Sequence, residues 1–245
     1  MNGRMPALIY GVVSYLVFFV TFLYLIGFVG NLVVPKGIDD GIAGPTALAV
    51  VIDVALLALF GVQHSVMARQ WFKRWWTTIV PKPVERATFV LVTSAVLILM
   101  FWLWRPITGV VWEVQNDAGR ALLWAFFGLG WGLVLLSTYL IDHFELFGLR
   151  QVWEHYRGHQ PRPPEFRTPS LYRFVRHPLY VGFLIAFWCT PRMTVGHLVF
   201  AIVWTGYILL AIQFEERDLI RLFGERYREY RKQVWGLIPM RMLRK

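Results

Sequence analysis

The sequence predicts an all-α integral membrane protein with about five to six transmembrane helices, a C-terminal helical hairpin and a cytoplasmic amphipathic helix. Two observations lead to this fold class. Of the 245 residues, 57% are hydrophobic and only 16% are charged, which is too apolar for an ordinary soluble domain of this size. Apolar runs long enough to cross a hydrocarbon core of roughly 30 Å also recur along the chain. Because there are several such runs, a single cleaved signal peptide does not explain them.

The predicted membrane segments follow one another with short polar connections. The first four are expected at 7–30, 46–66, 87–104 and 121–141. A fifth run begins near Leu179 and is interrupted at 190–192 by Thr-Pro-Arg, after which 195–214 forms the last segment. Since the fifth run is short, we expect it to be one arm of a helical hairpin that borrows residues 171–178 to reach full length.

The distribution of lysine and arginine orients these segments, because basic residues accumulate on the cytoplasmic side of a membrane. The connection between the second and third segments carries five basic residues against Glu85 alone, and residues 142–178 hold six arginines. The tail after Phe214 holds nine basic residues. We therefore predict both termini in the cytoplasm, in a bacterial-type inner membrane. The net charge of +10 is then largely a topology signal and an attraction to membrane lipid, so no nucleic-acid partner is expected.

Most residue types capable of chemistry lie in the second part of the chain, between 142 and 234. The stretch FVRHPLYVGFL, residues 174–184, places Arg176, His177 and Pro178 directly before an apolar run. Proline suits the first turn of a helix because it lacks a backbone donor. A helix N-terminus beside an arginine can bind a carboxylate or a phosphate. The alternative is that Arg176 only reaches lipid headgroups and that His177 hydrogen-bonds a neighbouring carbonyl.

A second charged group, Glu215-Glu216-Arg217, lies at the predicted cytoplasmic end of the last segment. Two carboxylates at a membrane boundary are costly if they face lipid, so at least one should face a polar cavity or a cation. If the last two segments form a hairpin, this group returns to the membrane face of Arg176. Opposite charges around one pocket suit a zwitterionic ligand.

The residues after the last segment, EERDLIRLFGERYREYRKQV, keep helical spacing. One face of the predicted helix is largely apolar and the remaining positions are mostly charged. Such a helix should lie at the membrane surface, either as a simple anchor or folded over the cytoplasmic end of the bundle. The residues of the apolar face are Ile220, Phe223, Tyr227, Tyr230 and Val234.

The pattern RHPLYVGFL, followed by an apolar hairpin and EERDLIRLFGERYREYRKQV, resembles the C-terminal core of the isoprenylcysteine carboxyl methyltransferase superfamily of membrane enzymes. This match covers residues 171–234, about a quarter of the chain. Upstream, VQHSVMARQWFKRWW, VERATFVL and LIDHFELFGLRQVW are similar to the methanethiol S-methyltransferase branch. Nitrite and nitric oxide reduction-associated membrane proteins form a nearby branch.

The resemblance implies an S-adenosylmethionine-dependent S-methyltransferase that converts methanethiol to dimethyl sulfide at the cytoplasmic membrane face. It implies that residues 142–245 form the cofactor-binding core and that residues 1–141 form the acceptor side. Arg176 would hold the amino-acid carboxylate, and Glu215 or Glu216 would hold the ammonium or the ribose hydroxyls. The complete set of cofactor-binding residues that the resemblance implies is Arg176, His177, Pro178, Tyr180, Glu215, Glu216 and Tyr227.

A small thiol is a good nucleophile only as the thiolate, so a nearby base or positive field would assist the reaction. His64, Asp142 and His143 are the catalytic candidates, and all three are predicted at the membrane face of Arg176. The alternative for each is a structural role, either capping a helix end or pairing with a lysine.

Asp53 lies near the middle of the second segment, where a carboxylate is protonated, paired or functional. We expect it to be paired.

Other functions remain open from the sequence. The same cofactor core could methylate an isoprenylcysteine carboxylate or a lipid headgroup, and related membrane folds include sterol reductases that use a nicotinamide cofactor. A membrane factor that binds haem or supports nitrogen-oxide respiration is a further alternative, but the six histidines are scattered and no metal site is predicted. A transporter would show paired repeats and broken helices, which the sequence lacks. The oligomeric state stays open.

Overall fold

The computed structural model describes residues 3–160 and 165–237, and most of these residues are helical. Short 3-10 turns at Lys82–Val84 and Ser170–Arg173 precede the fourth and eighth helices. Two short strands, β1 (Val110–Glu113) and β2 (Arg192–Thr194), pair with each other. In chain order the α-helices are α1 (Arg4–Gly30), α2 (Thr46–Ala68), α3 (Gln70–Trp76), α4 (Glu85–Leu103), α5 (Asp117–Ile141), α6 (His143–Leu146), α7 (Leu149–Arg157), α8 (Pro178–Trp188), α9 (Val195–Phe223) and α10 (Glu225–Gln233).

Within the described part of the chain, five helices are long and apolar enough to cross a membrane, namely α1, α2, α4, α5 and α9. A sixth apolar helix, α8, has only 11 residues. The protein is therefore an integral membrane protein, and the predicted fold class is confirmed. The short fifth segment expected from the sequence corresponds to α8, and β2 lies between it and α9. The prediction that residues 171–178 lengthen this segment is wrong, because Ser170–Arg173 forms a separate 3-10 turn and α8 begins only at Pro178, whose ring disfavours helical geometry at the preceding residue.

The last membrane helix differs from its prediction. α9 continues to Phe223 instead of ending at Phe214, so residues 215–223 extend the membrane helix. Gly224 has a positive φ of 58°, a conformation that glycine adopts readily, and only then does α10 begin. The single amphipathic helix expected over 215–234 is thus corrected to the end of α9, a break at Gly224 and the short helix α10.

The chain forms two compact units. Unit 1 comprises residues 1–110, 142–163 and 194–200, and unit 2 comprises residues 111–141, 164–193 and 201–245. Unit 1 therefore holds α1 to α4, α6 and α7, whereas unit 2 holds α5, α8, α10 and most of α9. The functional division at residue 141, expected from the sequence, stays a prediction.

In unit 1, α1 packs against α4 and α7, and α2 packs against α4. Lys36 stabilises the end of α4, because its Nζ donates to the carbonyl oxygens of Trp102 at 2.7 Å and Trp104 at 2.9 Å. Asp53 is fully buried, and its Oδ1 accepts a hydrogen bond of 2.9 Å from the backbone amide of Arg105. The expected pairing of Asp53 holds for one oxygen only, because the other oxygen, Oδ2, is buried and has no hydrogen-bond partner among the described residues.

In unit 2, α5 packs closely along α8. The indole ring of Trp131 meets the rings of Phe183 and Phe187 edge-on, with centroids 5.8 and 6.0 Å away. Gly130 and Gly182 lie where the two backbones approach most closely, because a Cβ atom added to Gly182 would lie 2.7 Å from the Gly130 carbonyl oxygen. This contact fixes α8, whose N-terminus carries the predicted cofactor residues.

Candidate functional site

The N-terminus of α8 is anchored to the segment that follows α10. α8 begins at Pro178, as the sequence predicts, and His177 is its N-cap residue. The backbone amide of Arg176 donates to the Trp235 carbonyl at 2.8 Å, and that of His177 donates to the Gly236 carbonyl at 3.1 Å. The second bond satisfies an amide that α8 itself leaves without a partner, and together the two bonds hold both side chains beside α9 and α10.

Glu216 is the centre of a buried charge cluster in unit 2, with only 6% of its surface exposed. Its Oε1 accepts from Arg176 Nε at 2.8 Å and from Arg176 Nη2 at 2.6 Å, and it lies 3.1 Å from His177 Nε2. Its Oε2 pairs with Arg231 Nε at 3.0 Å. Charge-assisted bonds of this kind are the stronger class of hydrogen bond in proteins. The protein itself therefore supplies partners for both oxygens of Glu216.

The other donors of Arg176 are also engaged. Its Nη1 donates to the carbonyl oxygens of Arg231, at 3.2 Å, and Val234. A guanidinium carries five N–H donors in a planar fork, so one guanidinium joins α9 to the end of α10. The sequence suggested anion binding by Arg176, and the structure adds a scaffolding role for it.

Glu215, the neighbouring carboxylate, lies in a different environment. Its side chain is 45% exposed, and its Oε2 is 3.7 Å from His177 Nδ1. The Tyr180 hydroxyl lies near this carboxylate. Because the Glu215 side chain is partly exposed whereas Glu216 is enclosed by cations, the two adjacent carboxylates are suited to different tasks: Glu215 to a ligand, and Glu216 to the scaffold.

An aromatic cluster lies beside these charges. The ring of Phe166 is 5.3 Å from that of Phe223, 5.9 Å from that of Tyr227 and 5.5 Å from that of Tyr230. Tyr230 donates to the Tyr172 carbonyl, and burial, reinforced by the charge of Glu216, raises the pKa of Tyr230 to about 12. The cluster is thus uncharged at neutral pH and offers aromatic faces for a ring or a cation.

Tyr227 carries the polar group of this cluster that lacks a protein partner. The residue is 2% exposed, and burial raises the pKa of its hydroxyl well above the ordinary value. Within residues 3–160 and 165–237 that hydroxyl has no hydrogen-bond partner. Buried hydroxyls normally have one, so Tyr227 is suited to contact a ligand.

Unit 2 brings together the residues that the sequence predicts for the cofactor, and it places beside them two side chains that the sequence analysis did not select, Phe166 and Arg231. Phe166 lies within the proline-rich stretch 157–169, where no helical or strand periodicity could indicate a contact. Arg231 lies on a charged helix whose pattern also fits a simple anchor. Spacing alone gave no signal for their partners.

The three acceptor-side candidates all lie in unit 1. Asp142 is the N-cap of α6, because its Oδ1 accepts from the Glu145 amide at 3.0 Å. Its Oδ2 pairs with Arg150 Nη1 at 2.5 Å. These contacts match the structural alternative of a capping and pairing carboxylate. A catalytic role for Asp142 stays a prediction.

His143 is buried, and its Nε2 lies 2.8 Å from the Tyr15 hydroxyl. Its ring also meets the Phe147 ring edge-on, with centroids 4.9 Å apart. Burial lowers the pKa of His143, and the charge of Asp142 opposes that change in part. His64 is packed differently, between Phe60 and Phe89.

The lowered pKa of His143 leads to a testable pH dependence of stability. In the unfolded chain the pKa of His143 is about 6.5, and in the folded protein it is lower. At pH values between these two pKa values, the unfolded chain binds a proton that the folded chain does not. The contribution of His143 to the free energy of unfolding is therefore fully present above about pH 6.5 and is lost as the pH falls below that value. We expect thermal unfolding in detergent to show a smaller loss of stability between about pH 7.5 and about pH 5.5 for His143→Gln than for the wild type.

The exposed His159 provides the control, because His159→Gln should follow the wild-type dependence on pH. Equal losses of stability in His143→Gln and the wild type would contradict a lowered pKa of His143 in the folded protein. Measuring the difference between variants removes the contribution of other titrating groups, provided that these groups lie outside the network of His143.

The chain has relatives among known proteins over nearly its whole length. No family model matches it, and no solved structure matches it. It is 56% identical over 236 residues to a methanethiol S-methyltransferase of Mycobacterium tuberculosis, covering 96% of this chain and 97% of that protein. It is 58% identical over 236 residues to methanethiol S-methyltransferase 1 of Bradyrhizobium diazoefficiens, covering 96% and 82%. Nurim of Mus musculus is 30% identical over 176 residues, covering 68% and 66%.

Proposed function

This chain belongs to the methanethiol S-methyltransferase family, and on that basis we propose that it transfers a methyl group from S-adenosylmethionine to methanethiol, with dimethyl sulfide as product. The observation that carries the proposal is similarity over nearly the full length to proteins of that name. The family resemblance predicted from the sequence is confirmed, and the chain is an S-methyltransferase.

The charge cluster of unit 2 fits the proposed methyl donor. S-adenosylmethionine has an ammonium, a carboxylate and a sulfonium, together with an adenine ring. We assign the half-exposed carboxylate of Glu215 to the ammonium, and the aromatic cluster beside Tyr227 to the adenine or the sulfonium. The first-turn amides of α8 that follow Pro178 would donate to the carboxylate of S-adenosylmethionine, and the positive charge of Arg176 beside them would attract it. Glu216 would fix the orientation of Arg176.

The methyl donor supplies an electrophilic methyl carbon when it is bound. The reaction needs the acceptor sulfur in line with that carbon, so most of the protein's contribution is positioning. The new bond joins the thiol sulfur to the methyl group. The bond between the methyl group and the sulfonium sulfur breaks, and its electron pair stays on the departing sulfur. The thiol proton must be accepted by a base or by water. His64, Asp142 and His143 are the residues proposed for that proton.

The membrane setting supports a small, uncharged acceptor. Methanethiol and dimethyl sulfide both partition into lipid, so substrate and product can reach a membrane enzyme through the bilayer. We propose the inner membrane of a bacterial-type cell and cytoplasmic termini, because the basic residues are concentrated in the connections assigned to that side.

Incubation of purified protein with S-adenosylmethionine and methanethiol, followed by headspace measurement of dimethyl sulfide, tests this function. Product should depend on both substrates and should be suppressed by S-adenosylhomocysteine. An isoprenylcysteine and a lipid amine, assayed in parallel with labelled donor, serve as competing acceptors. Labelled methyl ester or methylated lipid without dimethyl sulfide would reject the thiol, and binding of NADPH with hydride transfer would reject the methyltransferase.

A further inference from the structure

His64 lies in an aromatic niche near the end of α2, within unit 1. The Phe60 ring is nearly parallel to its imidazole, at an angle of 12° and with centroids 5.3 Å apart. The Phe89 ring of α4 lies 4.9 Å away on a tilted plane. Phe89 belongs to a buried apolar group with Met67 and Val90. The walls of this niche are thus aromatic and thioether surfaces, which interact favourably with sulfur.

Three buried polar atoms belong to this niche or to side chains in contact with its apolar group. They are His64 Nδ1, Gln63 Oε1 and Trp76 Nε1, and none of them has a hydrogen-bond partner in the described part of the chain. The Gln63 amide nitrogen lies 3.0 Å from Met67 Sδ, and Trp76 packs on the group of Met67 and Phe89. Orphan polar groups need an explanation, and a small ligand with a polar atom would provide one for His64 Nδ1.

The niche also has a positive neighbour. The guanidinium carbon of Arg86 lies 4.9 Å from the centroid of the Phe89 ring, and its Nε donates to the Leu146 carbonyl at 2.7 Å. A fixed positive charge favours a thiolate over a thiol. By contrast, the two other candidates of unit 1 already hold protein partners: Asp142 is bonded to Arg150, and His143 to Tyr15.

We propose that this niche binds the small thiol substrate and that His64 Nδ1 accepts its proton. The inference rests on the proposed function and deepens it by naming the acceptor subsite. The S–H bond breaks with its electron pair left on sulfur, that sulfur forms the bond to the methyl group, and the proton resides on His64 before it passes to water. The positive charges of Arg86 and Arg69 disfavour the resulting imidazolium and so favour its loss of the proton, while the faces of Phe60 and Phe89 offset part of this repulsion.

The first test is His64→Gln, which keeps a polar side chain but removes the base. We expect the rate of dimethyl sulfide formation to fall about 100-fold near neutral pH and to recover as the pH rises, because more thiolate then forms in solution. Affinity for S-adenosylhomocysteine, measured by calorimetry, should stay at the wild-type value. His159→Gln, at an exposed histidine, is the matched control and should keep the wild-type rate.

The second test enlarges the niche and does not depend on the proton. Phe60→Ala and Phe89→Leu should each raise kcat/KM for propanethiol relative to methanethiol by about 10-fold, as one or two methylene groups change the fit of an apolar pocket. A general loss of folding would lower the rates with propanethiol and with methanethiol without changing their ratio. If one variant is unstable, the other still tests the prediction.

These outcomes separate the inference from the function on which it rests. Wild-type protein that forms no dimethyl sulfide would reject the proposed function and, with it, this subsite. Active wild type with an unchanged pH profile in His64→Gln and an unchanged thiol preference in both enlarged variants would overturn the niche alone. A changed preference with an unchanged pH profile would keep the binding site and reject His64 as the proton acceptor.

Discussion

Glu216→Gln is expected to abolish methyl transfer and to lower the stability of unit 2 by about 3 to 5 kcal/mol, the usual cost of breaking a buried ion pair. The side chain is 7% exposed and contacts Arg176, His177 and Arg231. Glutamine keeps the volume but removes the charge, so three cationic or potentially cationic groups remain around a neutral amide. Thermal unfolding and headspace dimethyl sulfide would measure the two losses.

The adjacent residue provides a matched comparison. Glu215→Gln removes a half-exposed carboxylate, so we expect stability close to that of the wild type but affinity for S-adenosylhomocysteine at least about 10-fold weaker, as for the loss of a charged hydrogen bond. Titration calorimetry measures this affinity directly. Normal binding and stability in Glu216→Gln would contradict the scaffold assignment, and normal binding in Glu215→Gln would contradict the assignment of the ligand ammonium.

The sequence predicted the membrane helices because apolar composition is a local property that the chain displays residue by residue. It also placed Pro178 correctly at a helix start, because the conformational restriction of proline is local. The break at Gly224 was missed, since apolar residues keep helical spacing on both sides of it. A glycine within a periodic pattern indicates a break only weakly.

The site was predicted in part. Arg176 and Glu216 are 40 residues apart, and their meeting followed from the assumed hairpin, but sequence alone left Glu215 and Glu216 interchangeable. Their different roles depend on which carboxylate faces Arg231 and which faces solvent, and this is a property of three-dimensional packing. His64 was selected with Asp142 and His143 for its residue type, whereas its orphan nitrogen is visible only in the structure.

Gly182→Val is expected to prevent unit 2 from folding, because α5 and α8 meet through backbone atoms at this position. A Cβ on Gly182 would lie 2.7 Å from the Gly130 carbonyl oxygen and 2.8 Å from the Val134 amide nitrogen. No rotamer relieves a clash with backbone, so the helices must separate and lose the packing of Trp131 on Phe183. Overpacking typically lowers the free energy of unfolding by about 1 to 3 kcal/mol. We expect a larger loss for Gly182→Val, because valine adds a branched side chain at a contact that already excludes a methyl group.

Two glycines on α5 itself provide the control for this substitution. A Cβ on Gly128 or Gly132 would meet nothing within 4 Å, so Gly128→Val and Gly132→Val should give folded protein in wild-type yield, since both remove only the conformational freedom of glycine. Size-exclusion chromatography in detergent and thermal unfolding would compare the three variants. α8 carries His177 and Pro178 at its N-terminus, so a partly folded Gly182→Ala variant should bind S-adenosylhomocysteine more weakly than either control. Equal stability and equal binding in Gly182→Ala and the two controls would mean that the close approach of α5 and α8 does not position the site.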